Sequence, residues 1–523
     1  MMSDIDSVQQ WLQDLRWMTE SECMTVLQGK SLTQDGSSQS PSPPPKSPKE
    51  HIDIIRGRAH IISLEFSKLF KKLDKDRWHH IRRSTHRLVA NLRSLVHECD
   101  SALPMSPPHI WESIAQFTSP KYCCWLQEEI VMEGCTTLQD LTQEFYDESR
   151  HDDRVHSRIY DLLTYLGQAF SKLVDGVLGS LTQNLIHCIE TSPSPNAIKY
   201  ALLDLISLGL DGEHMCYIIA REQGISSLLE LCKKELFISL WPHALRAVAT
   251  VCCVSECVQD LEKANGVEHL TDILNNYSVT EYTRSEAAGV VAQITSPCLD
   301  HYHHLNGFLE NMEDLTRSLT VLCVEASSPE VFLLGTAAIA NITFMDSLAC
   351  DYLLQFHTAK VLIDASQLHK AESLFAKDQV ATVLANMAVH ESCCEELMES
   401  NGFELLLQFL QESPLNYKTN SEISACERVQ QKSAIALTRL SRDPDHAWII
   451  VKCQGLPRLV QLCREGKERN ESDSVLVASL AALRKIAAVT GTRHLASEDV
   501  QQLIKPRLLE SFLMCTKLEE TFV

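Results

Sequence analysis

A short glycine-containing turn followed by an apolar helix recurs along the C-terminal part of the chain, and this repeat restricts the possible folds most strongly. Successive glycines are 42, 41, 95 and 53 residues apart, and the gap of 95 spans two periods with a middle turn near Thr358 that lacks glycine. A period of about 40 to 47 residues with helices only is typical of helical solenoids. The turns read QGISSLLELC (Gly224), NGVEHLTDIL (Gly266), NGFLENMEDL (Gly307), NGFELLLQFL (Gly402) and QGLPRLVQLC (Gly455).

An alanine-rich helix follows each turn, as in EAAGVVAQIT, GTAAIANITF and QVATVLANMAV. Small side chains let neighbouring helices approach closely, and these helices resemble the third helix of armadillo repeats. The pattern predicts an all-α fold, in which an N-terminal helical recognition segment precedes a right-handed armadillo-repeat solenoid over residues 196–510. Glycine and proline, 18 of each in 523 residues, are scarce, which also favours long helices.

One polar residue occupies the same turn of each alanine-rich helix. In armadillo proteins this position lines the concave groove, where asparagines hold the backbone of an extended ligand, but only two asparagines are present here. Two interpretations stay open: a peptide-binding groove, or merely polar positions on the helices. The aligned residues are Thr250, Gln293, Asn341, Asn386, Arg439 and Lys485.

The charge and the cysteines exclude several classes of protein. A formal charge of −22 argues against a general binder of nucleic acid or anionic membranes. No cationic segment followed by an apolar one opens the chain, and no apolar run reaches 18 residues, so we expect neither a signal peptide nor a membrane span. The 20 cysteines are then expected to be reduced, buried and inert in the cytoplasm.

Residues 1–30 hold one short amphipathic unit. Ile5, Val8, Leu12 and Leu15 recur at helical spacing, Trp11 and Met18 widen the apolar stripe, and glutamines lie opposite. Residues 31–50 are rich in serine and proline and predict a disordered linker. A helix tethered in this way predicts a recognition peptide for a groove on another protein, with docking on the chain's own solenoid as the alternative.

Residues 51–100 reverse the charge of the chain, with eleven Lys or Arg against six Asp or Glu. Their apolar stripe changes phase around Asp74 to Trp78, which predicts two coiled-coil-like helices hinged or folded back there. We expect the basic residues to form solvated helix faces rather than a nucleic-acid site. Further helical pattern over residues 101–195 is expected to begin the solenoid.

Residues 511–523 leave the repeat pattern and end in Glu520, Thr521, Phe522 and Val523. A PDZ domain adds such a tail as a strand, captures its carboxylate, and reads the terminal residue and the one two before it. Thr521 and Val523 fit this motif, so a free tail predicts a PDZ-binding site.

The sequence contains no glycine-rich phosphate loop, no G-x-S-x-G elbow and no H-E-x-x-H helix. The histidine groups His79/His80 and His301–His304 are the only metal-like clusters, and their adjacent spacing does not suit a helical metal site. We therefore expect no catalysis, no metal and no cofactor.

The N-terminal VQQWLQDLRWMTESECM, the basic DRWHHIRRSTHRLVANLRSLVHE, the armadillo body and the Thr-Phe-Val end together resemble the Inscuteable family over the whole chain. The resemblance implies a non-enzymatic adaptor that binds the TPR domain of LGN (Pins) and the PDZ scaffold of the Par complex, of Bazooka type. It implies an indirect link to G-protein alpha subunits and the spindle-orientation machinery. Such an adaptor orients the spindle in asymmetric cell division from the apical cell cortex.

Carried to this sequence, the resemblance implies that Val8, Trp11, Leu12, Leu15 and Met18 fill the TPR groove, while Glu20 and Glu22 meet basic residues lining it. The peptide and residues 51–100 would form the asymmetry domain, for which an intertwined hetero-oligomer with LGN is implied. The alternative function is an armadillo-type transport or nuclear adaptor that binds extended peptides in its concave groove, for which the incomplete asparagine ladder is unfavourable.

Overall fold

A computed structural model describes residues 48–75, 78–103, 120–148, 153–297, 306–368 and 370–516. Helices account for most of these residues, and the described ranges contain no β-strand. The chain divides into two compact units, whose described parts are residues 48–231 and residues 232–516. The all-α prediction is confirmed.

The first unit begins with four long helices that pack as a bundle. Helix α1 contacts α2 and α4, and α3 contacts the same two helices. The four helices therefore form a four-helix bundle in which each helix packs on two neighbours. The bundle helices are α1 (Pro48–Leu73), α2 (Trp78–Ala102), α3 (Pro120–Glu148) and α4 (Asp153–Thr191).

The bundle core follows the stripes that the sequence predicts. Ile62 and Leu69 of α1 and Leu88 and Leu92 of α2 are fully buried. The break between α1 and α2 falls at residues 74–77, where the stripe changes phase. Helix α1 begins at Pro48, so three residues assigned to the linker are helical. Helices α3 and α4, from the region expected to begin the solenoid, complete the bundle.

Three shorter helices end the first unit. The TSPSPN sequence separates α4 from α5, where Ser194 accepts a hydrogen bond from the Ala197 amide and Pro195 occupies the first helical turn. The three helices are α5 (Pro195–Leu210), α6 (Glu213–Arg221) and α7 (Gly224–Leu231).

The second unit is built from repeats of a short first helix, a second helix that follows a tight turn, and a longer third helix. Its helices are α8 (Trp241–Val251), α9 (Ser255–Lys263), α10 (Gly266–Asn275), α11 (Glu281–Ile294), α12 (Asn306–Glu325), α13 (Pro329–Met345), α14 (Leu348–Gln355), α15 (Thr358–Gln367), α16 (Leu374–Met387), α17 (Glu391–Glu399), α18 (Gly402–Leu410), α19 (Asn420–Leu440), α20 (Pro444–Lys452), α21 (Gly455–Arg464), α22 (Asp473–Thr490), α23 (Ser497–Asp499) and α24 (Leu508–Cys515). A π-helical turn, Val500–Ile504, follows α23, and 3-10 turns occur at Glu235–Leu240, Pro414–Asn416 and Gly466–Arg469.

The third helices form the core of this solenoid. Each packs on the next in the order α8, α11, α13, α16, α19 and α22. Their alanines are buried, as at Ala288 and Ala338, and a Cβ on Gly335 would lie 3.0 Å from the Cys323 sulfur. Small side chains at these positions allow the close approach that the sequence predicts.

The turn between the first and second helix has one shape in four repeats of this unit. The residue before the glycine, or before its counterpart Thr358, has a positive φ, for example 61° at Asn401 and 60° at Gln454. Asn306, which precedes Gly307, is instead the first residue of α12 and has no positive φ. Gly402 and Gly455 follow Asn401 and Gln454 and begin the second helix, so glycine is needed there for space and not for its backbone conformation. A Cβ on Gly402 would lie 2.8 Å from the Leu397 carbonyl oxygen.

The turn without glycine occurs where the spacing predicts it. His357 has a φ of 52°, and Thr358 takes the place of the glycine at the start of α15. Thr358 is fully buried, and its hydroxyl lies 2.8 Å from that of Thr320. The hydrogen bond between the two hydroxyls satisfies the polar group that this substitution buries.

Two substitutions at these turns should have opposite effects on stability. Gly402→Ala should lower the free energy of unfolding by about 1 to 3 kcal/mol, because the new methyl group meets the backbone of the preceding helix. Gln454→Gly should raise it by about 0.5 to 1 kcal/mol, since glycine removes the strain of a left-handed non-glycine residue. Urea unfolding of the full chain measures the free energy of unfolding of both variants. If the two substitutions changed it in the same direction, glycine would not be required at position 402 for space, or residue 454 would not be strained.

Candidate peptide-binding surface

The predicted terminal sites lie outside the described residues. This applies to the TPR-binding residues Val8 to Glu22 and to the PDZ-binding residues Glu520 to Val523. The described part of the chain contains the six polar positions of the third helices, which are the predicted groove residues.

These six positions lie on six successive third helices, α8, α11, α13, α16, α19 and α22. Thr250, Gln293 and Asn341 are buried, Asn386 and Arg439 are half-buried, and Lys485 is exposed. The six residues therefore occupy equivalent helices, but their side chains differ in exposure to solvent.

Four of the six positions donate hydrogen bonds to the preceding third helix. The Gln293 amide donates to the Cys252 carbonyl at 3.3 Å, and the Asn341 amide donates to the Ala292 carbonyl at 2.7 Å. The Asn386 amide donates to the Thr343 hydroxyl at 2.7 Å, and Arg439 donates to the Ala385 carbonyl. These side chains bind successive repeats to each other.

Thr250, the first of the six positions, differs from the central four, because its hydroxyl donates to the Arg246 carbonyl of its own helix at 2.8 Å. Lys485, the last position, is exposed. The amide nitrogen of the half-buried Asn386 carries a second proton, and its oxygen is an acceptor. A ligand backbone could use these groups, so the groove stays a prediction that is compatible with the geometry.

A buried ionic cluster joins two of the same third helices. The Asp378 carboxylate of α16 lies 2.7 Å from Arg428 and 2.9 Å from Lys432, both of α19. Burial opposes ionisation of Asp378, but the two cations outweigh it and hold the pKa of this carboxyl below its usual range. Two further pairs cross repeats, Arg246 with Glu286 and Arg284 with Glu325.

Sequence reasoning missed this cluster. Asp378 and Arg428 are 50 residues apart, and the only signal is an acid among the buried positions of α16. The charges lie inside the stack of helices, where they are shielded from a charged ligand. They therefore specify how repeats pair rather than provide a binding site.

One cavity of the second unit has none of the six groove positions in its lining. Its volume is about 340 Å³, and it lies between α15, α16 and α18. Lys377 at its wall pairs with Glu412, which also accepts a hydrogen bond from the Tyr417 hydroxyl at 2.6 Å. The residues around the cavity are Ser366, Gln367, Ala371, Glu372, Lys377, Leu405, Gln408 and Phe409.

Burial suppresses ionisation of several cysteines among the residues described. Burial raises the pKa of the Cys232 and Cys323 thiols to about 12, so both stay protonated near neutral pH. The described ranges contain no group of three or more His, Cys, Asp or Glu placed to hold a metal ion. His301–His304 lie outside them. No helix within these ranges is long and apolar enough to cross a membrane.

Removing the buried carboxylate should strongly destabilise the solenoid. We expect Asp378→Asn to cost about 3 to 5 kcal/mol of unfolding free energy at neutral pH, because two buried cations lose their partner. The pKa of Asp378 is lowered by folding, so its contribution is present above the unfolded pKa and disappears as the pH falls through the folded value. The difference between variant and wild type should therefore shrink in acid.

Urea unfolding between neutral and acidic pH measures this difference. Asp364→Asn, a change at an exposed acid of α15, serves as the control and should stay within about 0.5 kcal/mol of wild type. A difference for Asp378→Asn that is independent of pH would show that its charge is not what stabilises the pair of repeats.

The sequence matches two known protein-family models. Residues 58–523 match the family described as Protein inscuteable C-terminal, and residues 3–41 match the Inscuteable LGN-binding domain. The human Protein inscuteable homolog is 41% identical over 527 residues, which covers 100% of this chain and 88% of the human protein. The mouse homolog is 40% identical, covering 99% of this chain and 88% of its own length.

Solved structures similar to this chain include designed repeat proteins. An engineered protein matches 81% of this chain and 98% of its own chain, with 19% identity and a TM-score of 0.47. A designed armadillo repeat protein matches 50% of this chain and 99% of its own, with 18% identity and a TM-score of 0.40.

Proposed function

The chain belongs to the inscuteable family, and from this premise we propose that it is a non-enzymatic adaptor that binds LGN and links it to the Par complex. The match of residues 3–41 to the Inscuteable LGN-binding domain is the observation that carries the proposal. In this function the protein orients the mitotic spindle from the apical cell cortex, with G-protein alpha subunits reached indirectly through LGN.

The N-terminal peptide is proposed as the LGN-binding element. Its stripe of Val8, Trp11, Leu12, Leu15 and Met18 has the spacing of an amphipathic helix that lays its apolar face in a groove. Glu20 and Glu22 follow the stripe and would meet cations at the rim of the TPR groove. The larger asymmetry domain would add residues 51–100 and form an intertwined oligomer with LGN.

Titration of a labelled peptide of residues 1–30 against the purified LGN TPR domain tests this role. Leu12→Asp with Leu15→Asp should weaken binding by at least about a hundredfold, because each buried leucine contributes about 1.5 to 3 kcal/mol. Gln9→Asp with Gln13→Asp adds the same charge to the opposite face and should retain binding. If the leucine variant bound the TPR domain as tightly as the wild-type peptide does, the peptide would not be the LGN-binding element.

The C-terminal tail is proposed as the second binding element, for a PDZ domain of the Par-complex scaffold. A PDZ domain would read the free carboxylate and the side chains of Val523 and Thr521, and in an added strand Glu520 and Phe522 would alternate with these two residues. The solenoid would then separate two short recognition peptides at opposite ends of the sequence.

Deletion of Thr521 to Val523 should weaken binding to the PDZ scaffold at least about tenfold, since a new terminus no longer presents the side chains that the groove reads. Isothermal titration of the full chain against the scaffold's purified PDZ domains gives the affinities. Thr521→Ala should lower the affinity similarly, whereas Glu519→Gln should change it little. Unchanged binding after the deletion would exclude the tail from this interaction.

A further inference from the structure

The outer face of the α1–α2 pair combines exposed cations with exposed aliphatic side chains. Ile61 and Leu64 of α1 are 51% and 45% exposed. Lys68 and Lys71 continue the same stripe at intervals of four and three residues, and Lys75 follows in the turn after α1; all three lysines are exposed. Because residues three and four apart share a helix face, the four helical side chains form one continuous surface, which Lys75 follows directly in the chain.

Helix α2 extends this surface. Lys72 donates a hydrogen bond to Ser84, and Arg58 donates one to Ser94 at 2.7 Å, so the two helices run side by side along this edge. Arg83 and Arg87 adjoin Ser84 on α2 and are exposed. We define the cationic face as Ile61, Leu64, Lys68, Lys71, Lys75, Arg83 and Arg87.

The acidic side chains of α1 and α2 do little to neutralise this face. Glu65 is largely buried and pairs with Lys68, and Glu98 pairs with Arg58. Asp74 lies in the turn next to Lys75 and offsets one of the five cations, whereas Glu50, Asp53 and Asp100 lie at the far end of the hairpin. The face therefore keeps a net positive charge in a chain that carries −22 overall.

We propose that the cationic face binds the surface of an anionic lipid bilayer. Lysine and arginine side chains attract anionic headgroups with about 1 kcal/mol each, and aliphatic side chains between them can enter the boundary of headgroups and acyl chains. Long lysine stems can lie along that boundary while their ammonium groups stay hydrated.

The composition of the face favours a bilayer over an acidic protein. Protein interfaces are depleted in lysine and enriched in aromatic residues, whereas three of the five cations here are lysines and none of the seven residues is aromatic. Nucleic acid would use the cations but would leave Ile61 and Leu64 without a role. A fluid bilayer accommodates both kinds of side chain on a convex pair of helices.

Co-sedimentation of the full chain with vesicles tests the proposal. Wild-type protein should bind vesicles of phosphatidylcholine mixed with phosphatidylserine, and binding to phosphatidylcholine alone should be much weaker. Lys71→Gln with Arg87→Gln should lower the partition coefficient about thirtyfold, as expected for two cations near an anionic surface. Lys418→Gln with Lys452→Gln, a change at two exposed lysines of the second unit, should leave it unchanged.

A second variant separates the contribution of the aliphatic side chains to membrane binding from that of the cations. Ile61→Ser with Leu64→Ser should lower binding several-fold and leave its dependence on salt unchanged, because the cations remain. Equal binding to both kinds of vesicle, or full binding by the Lys71 and Arg87 variant, would overturn the proposal. No binding to either kind would also overturn it and leave an acidic protein as the partner of the face. The peptide titration with LGN is a separate measurement, so each proposal can fail alone.

Discussion

Close stacking of the alanine-rich third helices is the constraint on which the structure of residues 232–516 depends. Packed helices lie about 8 to 10 Å apart, and the smaller distances need small side chains at the contact. Ala288 and Ala338 satisfy this requirement on adjacent third helices, and so does Gly289 of α11, where a Cβ would lie 3.4 Å from the Leu334 side chain of α13. Each third helix is thereby enclosed by its two neighbours, and nearly every residue of α11 is buried.

This enclosure determines the role of the polar residues on the third helices. A buried polar group that lacks a partner costs about 1 to 3 kcal/mol, so each needs a partner, either on its own helix, as for Thr250, or on a neighbouring one. Gln293 and Asn341 reach carbonyls of the preceding repeat, and Asp378 reaches cations of the following one. Unlike alanine contacts, these bonds are directional, and they fix which turn of one helix meets which turn of the next.

The sequence predicts those parts of the fold that depend on residues near each other in the chain. The repeat period predicts the turns at Gly266, Gly402 and Gly455 and the one at Thr358, and the phase change near Asp74 predicts the break between α1 and α2. The left-handed residue before Gly266, Thr358, Gly402 and Gly455 escapes prediction, because asparagine, histidine and glutamine all occupy this position. Glycine at the next position suggests a backbone requirement, although the structure shows a steric one.

Contacts between distant residues were beyond the sequence patterns. The periodicity of one helix shows which face is buried but not which helix covers it, so the closure of α1 to α4 into a bundle could not be read from their stripes. The same holds for Asp378 and Arg428, 50 residues apart. Aligning the third helices identifies the six groove positions as equivalent residues. How deeply each side chain is buried depends on the helices packed around it, which the alignment does not show.

The cationic face shows why a net charge is a poor guide to a particular surface. At physiological ionic strength the Debye length is about 8 Å, so exposed charges farther apart than that are largely screened from each other. The five cations lie within a few turns of two adjacent helices, whereas the acidic excess is spread over the rest of a chain of 523 residues. An anionic surface close to this face is therefore attracted mainly by the local cations, because the distant acidic residues are screened from it. The overall charge of −22 excludes general binding of anions, but it leaves room for one face that binds them.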